Sequence, residues 1–473
     1  MPDCLSCKSK TCHPLMSRRA LLAQAVALAA APSEVFGSAV QSPVHQTKPS
    51  GRAKIDVLFV RPLETPVVSW PGGNCDVAAQ QALFTKTLEA AARKLDVELR
   101  LQPKPVDTPS DVSQCLERIQ QSPPDGLLVA AMELQRWKAV GEIIEKRGDI
   151  PTVVYSNLSA FTDHLQAGRN TSKTFVAATQ DVAWLEQGVR MLSAIWQIRN
   201  TRLLWIGDKE LKQPVVPHWG TTFHRITKVR FQEEFQKTAV TAEVRAMADA
   251  YAKAAQKIVE PAPADLVESA KNYVVIRRMM EAEKCHGVTI DCLGWKNPVC
   301  VAYSRLMDEG CVAACESDLP AAIAQLIVGL VTERPGFIQD PSPNTVNNTL
   351  LGAHCTSPTR LKGFSNPYRA PFVLRNYHTR TGVSPQVLWP EGDPASVVDF
   401  DNWTTLMVSA GKVVSNISQP PSGCCRTAVE VSIGGDVDTL NSKGFHQLFV
   451  WGNIERPLKS FAKLAGVEAK PIV

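Results

Sequence analysis

The chain has 473 residues, 44% hydrophobic and 21% charged, with 33 prolines against 27 glycines. That composition excludes a collagen-like, coiled-coil or disordered chain, and the length accommodates two to four domains of roughly 100 to 200 residues each. A formal net charge of +5 over this length leaves no basic footprint, so nucleic acid is not an expected partner.

Residues 1–39 read as an export leader. Ser17-Arg18-Arg19 precedes an apolar run from Ala20 to Ala31, and a small-residue stretch closes on Gly37-Ser38-Ala39. The paired arginines resemble the twin-arginine type of signal, which implies an exported, periplasmic protein. The apolar run of about 12 residues is too short to cross a bilayer, and no later stretch reaches the roughly 18 required. No stable membrane anchor is expected. Cys4, Cys7, Cys12 and His13 lie ahead of the run with nothing foldable around them. The other cysteines are scattered, several in apolar runs such as Cys311–Cys315, where buried reduced thiols are expected.

After a linker over 40–54, short apolar runs alternate with helical stretches. Runs at Ile55–Val60, Val97–Leu101, Gly126–Ala131 and Thr152–Tyr155, with helices between them, predict a doubly wound parallel-sheet domain over 55–172. A second such domain is predicted over 173–345. It opens on the strand at Phe175 and continues through Arg202–Gly207, Gly287–Cys292, Val312–Cys315 and Gly336–Gln339. From 346 to 473 the helical period fades. Runs such as Pro371–Leu374, Val383–Leu388, Thr405–Val408, Ala428–Ile433 and His446–Trp451 predict an antiparallel, barrel-like β domain with a closing helix at Pro457–Leu464. The predicted fold class is α/β: two doubly wound domains followed by a C-terminal antiparallel β domain.

The sharpest chemistry lies between Cys311 and Asp340. Glu316 follows the strand Val312–Cys315, and Asp318 is placed to cap a helix over Leu319–Thr332 that is apolar on nearly every face. Asp340 follows the strand Gly336–Gln339. If the two strands are parallel neighbours, Glu316 and Asp340 converge outside the carboxyl ends of the sheet, where such folds bind ligands. Like charges that close must share a proton or a cation. His354, in Leu351-Gly-Ala-His354, and His446, at the head of an apolar strand, are candidates to complete a mixed oxygen and nitrogen set suited to Mn²⁺. Taken singly, each histidine is more often a satisfied structural residue.

The segment Cys315-Glu316-Ser317-Asp318-Leu319-Pro320, the 24-residue step to Asp340 and Gly444-Phe445-His446 resemble the L-fucose isomerase family. The Leu351–His354 segment is similar to the related L-arabinose isomerases. The resemblance implies two α/β domains and a β domain, and a Mn²⁺ site at Glu316, Asp340 and His446 with His354 as a further ligand. It further implies aldose–ketose isomerisation of a small uncharged sugar through a cis-enediol, with Glu316 and Asp340 as acid and base, in a homo-oligomer. Trp70 and Trp219, on loops after predicted strands, are candidates to stack on a sugar face or to serve in ordinary packing. The alternative is an exported sugar-binding protein without turnover, since two α/β domains behind a leader also suit that role, or an isomerase-like protein with a changed substrate.

Overall fold

The computed structural model describes residues 48–64, 66–69, 73–157, 160–293, 295, 298–378, 381–417, 424–435 and 437–473. The leader over 1–39 and Trp70 lie outside the described residues.

The first sheet is parallel throughout, with strands in the order Glu98–Leu101, Lys54–Val60, Gly126–Ala131, Thr152–Ser156 and Thr174–Ala178. Its side chains alternate between two cores. Ile55, Val57, Phe59, Leu128 and Val153 pack beneath helices Val77–Leu95 and Trp184–Asn200, whereas Leu58, Val60, Leu127, Val129 and Val154 face Pro109–Gln121 and Trp137–Lys146. Burial on both faces is why these strands read as continuous apolar runs. Helix starts are fixed locally, by Asp76 accepting from the Ala78 and Ala79 N–H groups and by a Thr108–Asp111 capping box. The strand Thr174–Ala178, expected to open the second domain, instead pairs with Thr152–Ser156 and completes the first sheet.

The second sheet is also parallel, in the order Val312–Cys315, Gly287–Ile290, Arg202–Ile206 and Thr222–Ile226. Val312–Cys315 is therefore an edge strand, and the expected parallel neighbour at Gly336–Gln339 does not join it. The buried side chain of Gln325 explains why. Its Oε1 accepts from Ala313 N (3.1 Å) and its Nε2 donates to Gly336 O (2.9 Å), so helix Leu319–Thr332 stands between the sheet edge and the chain that leaves it.

That chain, Phe337–Asn344, enters a closed antiparallel barrel of six strands. Around the barrel the order is Pro394–Asp401, Gln447–Trp451, Phe337–Asn344, Thr349–His354, Thr427–Ile433 and Thr405–Asn416, and the last pairs back to the first. Phe337, Leu350, Val397, Met407, Val429, Val431 and Phe449 share the interior core. Ile338, Val398, Leu448 and Val450 point outward into the core that contains Leu319–Thr332 and the closing helix Glu455–Ala465. The predicted strands near 371–374 and 383–388 form Phe372–Arg375 and Ser384–Val387. They lie outside the barrel, in a small sheet with Lys257–Ile258. The chain is thus mixed α/β, with two parallel sheets followed by an antiparallel barrel. Among the described residues, no helix is long and apolar enough to cross a membrane.

Candidate metal centre

Glu316 is aimed by a strained turn. Directly after the edge strand, Glu316 and Ser317 occupy the left-handed region at φ 56° and 60°. For non-glycine residues this costs on the order of 1 kcal/mol each and persists only where the surroundings impose it. Here Ser317 Oγ accepts from the indole Nε1 of Trp205 (2.7 Å), and Ser317 N donates to Ile290 O (3.2 Å). The next residue, Asp318, is the N-cap of Leu319–Thr332, with Oδ1 accepting from Ala321 N at 2.8 Å, as its position in the sequence predicts.

The barrel supplies the other side chains. Gln339 pairs with Gln447, and Asp340 pairs with Ala353, so Asp340, midway along its strand, lies level with the end of Thr349–His354 at His354 and with the start of Gln447–Trp451 next to His446. His354 Nε2 lies 3.5 Å from Glu316 Oε1. His446 Nε2 lies 3.8 Å from Glu316 Oε2 and 3.2 Å from Asp340 Oδ1. One ligand atom from each of Glu316, His354 and His446 falls within 4.8 Å of the others. Asp340 stands beside this triad rather than in it. The convergence expected of Glu316 and Asp340 thus occurs around His446 Nε2, although the parallel-strand geometry expected to produce it is absent.

Both imidazoles are buried; both ring nitrogens of His354 have no hydrogen-bond partner, and the close contact of His446 Nε2 is its ion pair with Asp340. Buried polar atoms are normally satisfied, so the two Nε2 atoms facing the Glu316 carboxylate form a donor set that a cation would complete. His446 Nδ1 lies 2.9 Å from Asp318 Oδ2. With the proton on Nδ1 directed at that carboxylate, a cation that displaces the Nε2 proton meets the lone pair toward Glu316, the carboxylate–histidine arrangement that orients metal ligands. Burial alone would lower the pKa of His446, but its contacts with Asp318 and Asp340 outweigh that and hold it up at about 10. Asp340 is opposed by burial too, yet His446 and His354 keep its carboxyl below the usual range. Behind Asp318, burial pushes the Asp399 carboxyl up to about 7, with Phe400 N donating to Oδ1 at 2.7 Å. Gly444, at φ 98°, leaves room for that carboxylate, since a Cβ there would collide with Asp399 Oδ2.

Trp219 is not available to a sugar. It is buried, stacked on Phe461 and edge-on to Phe400, with Nε1 donating to Trp403 O at 2.9 Å, so the packing role accounts for it. The sequence around Asp318 signals a helix cap, and nothing near it points to Asp399. The spacing of Asp318 from the apolar helix signals the cap, but nothing local signals a partner 128 residues away.

No family model matches the chain, and no curated protein matches it. Among solved structures, it is similar to GanP, a glucose-galactose binding protein from Geobacillus stearothermophilus, at 13% identity and TM-score 0.19, covering 59% of this chain and 89% of that one. It is also similar to a carbohydrate transporter from Acidothermus cellulolyticus in complex with myo-inositol, at 11% identity and TM-score 0.19, covering 60% and 88%. A third is an ABC sugar transporter, a periplasmic sugar binding protein, from Legionella pneumophila, at 12% identity and TM-score 0.16, covering 59% and 95%. The expectation of an aldose–ketose isomerase, an intramolecular oxidoreductase, is corrected accordingly: the solved structures found are described as sugar-binding and sugar-transport proteins. At such TM-scores the likeness carries nothing further, and the functional reading rests on the site.

Proposed function

We propose that the chain is an exported protein that binds a small neutral sugar or polyol through a divalent cation, without converting it. The cation site is Glu316, His354 and His446, and the observation that carries the reading is the pair of buried imidazole Nε2 atoms converging on one carboxylate. One carboxylate with two imidazoles suits Mn²⁺ or a similar divalent ion. A bound cation supplies a site to which vicinal hydroxyls can coordinate, while Asp318 holds the His446 ring and Asp340 accepts a further hydroxyl. The leader motif Ser17-Arg18-Arg19 supports export. The motifs around Glu316, Asp340 and His446 support descent from the L-fucose isomerase family, with the site retained for binding.

Calorimetry with MnCl₂ and then with a panel of neutral aldoses and cyclic polyols tests this. Mn²⁺ binding should be lost in His354→Ala, sugar binding should require the metal, and the sugar should be recovered unchanged. Sugar binding that ignores chelators, or ketose formation from any aldose, refutes the proposal.

A further inference from the structure

The side chains at the centre are exposed very unequally. Those of His446 and His354 are 1% and 5% exposed and that of Glu316 is 20% exposed, whereas that of Asp340 is 47% exposed. A ligand therefore reaches the centre from the Asp340 side. The residue preceding His446 is Phe445, which is 74% exposed, with its ring centroid 4.6 Å from that of His446 at an interplanar angle of 63°. Large aromatic side chains normally bury most of their surface, and core packing does not account for one left open beside a polar centre. The other apolar residues beside it in sequence behave differently, since Leu448, Phe449 and Val450 are all fully buried. Phe445 stays outside because Gly444, at φ 98°, turns the chain over Asp399 before the barrel strand begins.

We propose that Phe445 and Asp340 form the recognition rim of the sugar site, with the Phe445 ring covering the apolar C–H face of the ligand and Asp340 accepting its hydroxyl hydrogens. A pyranose offers both surfaces at once, an apolar face and an equatorial belt of hydroxyls, and an aromatic ring beside a carboxylate matches that pair. A free inorganic anion or an extended apolar chain matches neither. The inference rests on the sugar-binding reading above and deepens it by assigning the specificity-determining aromatic residue.

The test compares wild-type protein, Phe445→Ala and Phe445→Trp, each loaded with Mn²⁺ and titrated with the same panel of neutral aldoses and cyclic polyols. Loss of one stacked aromatic contact should weaken sugar binding about tenfold in the alanine variant, and the tryptophan variant should stay within about threefold of wild type. Mn²⁺ affinity should be the same in all three, which a merely structural role for Phe445 would not preserve. Equal sugar affinity in wild type and Phe445→Ala overturns the rim while leaving the sugar-binding reading intact. A parallel loss of Mn²⁺ affinity in Phe445→Ala also overturns it, by making the ring a support for His446. Sugar binding by none of the three overturns both readings.

Discussion

Asp318 performs two tasks with two oxygens, which makes it the most discriminating position to perturb. Oδ1 caps helix Leu319–Thr332 at 2.8 Å from Ala321 N, and Oδ2 lies 2.9 Å from His446 Nδ1. Asparagine is as good an N-cap as aspartate, so Asp318→Asn keeps the cap while presenting an amide N–H₂ to Nδ1. Two donors then face each other, and His446 is driven toward the tautomer with its proton on Nε2, the atom that must hold the cation. Losing an outer partner of this kind typically costs 10- to 100-fold in metal affinity, or about 1.4 to 2.8 kcal/mol. Asp318→Ala should lose a similar amount of Mn²⁺ affinity. It should also unfold more readily than Asp318→Asn in chelator, by about 1 kcal/mol, because only alanine removes the cap. Calorimetry with Mn²⁺ and urea denaturation in chelator separate the two effects. Mn²⁺ affinity in Asp318→Asn within threefold of wild type would refute the claim that Asp318 orients the ligand.

Two further predictions concern the surrounding structure. The Asp399 carboxyl titrates near 7 in the folded protein against about 3.9 unfolded, so the folded state retains its proton between those values. Its contribution is therefore fully present below about pH 4 and is lost as pH rises through 7, up to about 4 kcal/mol in total, and Asp399→Asn should flatten this part of the stability–pH curve measured by urea denaturation. Gln325→Leu should destabilise the chain by about 2 to 4 kcal/mol in the same assay, because it leaves the buried Ala313 N–H and Gly336 C=O without their partner.

The elements most legible in the sequence were those whose pattern reports burial on both faces. Val312–Cys315 and Leu319–Thr332 are observed with the predicted bounds. The helix reads apolar all round because Ile323, Ile327 and Val331 share one core with the second sheet, with helix Trp184–Asn200 and with the outer face of the barrel. What the pattern does not carry is the identity of a strand's partner. An apolar run such as Phe337–Ile338 looks the same whether it continues a parallel sheet or enters a barrel, and its pairing with Gln447–Trp451, more than a hundred residues away, decides between them. The assignment of Thr174–Ala178 failed for the same reason. Pro394–Asp401, which holds Asp399, was not anticipated as a strand, so the carboxylate behind Asp318 was invisible.

The candidate centre was more legible than the topology that builds it, and the reason is local. Glu316, Asp340 and His446 each stand at the end of an apolar run, where a polar side chain must either face solvent or be satisfied. The run fixes where the residue leaves the core, and that holds for parallel and antiparallel pairing alike. Antiparallel pairing in fact brings the groups closer to one point, because Gln339 opposite Gln447 sets Asp340 beside His446 on neighbouring strands. Glu316 then needs only the left-handed turn to face them across the helix N-terminus. Strain at Glu316 and Ser317 and unpaired buried imidazole nitrogens are each unfavourable alone. Their coincidence beside one carboxylate is the physical case for a bound cation, since a divalent ion is a partner for the Glu316 carboxylate and for one nitrogen of each imidazole at once.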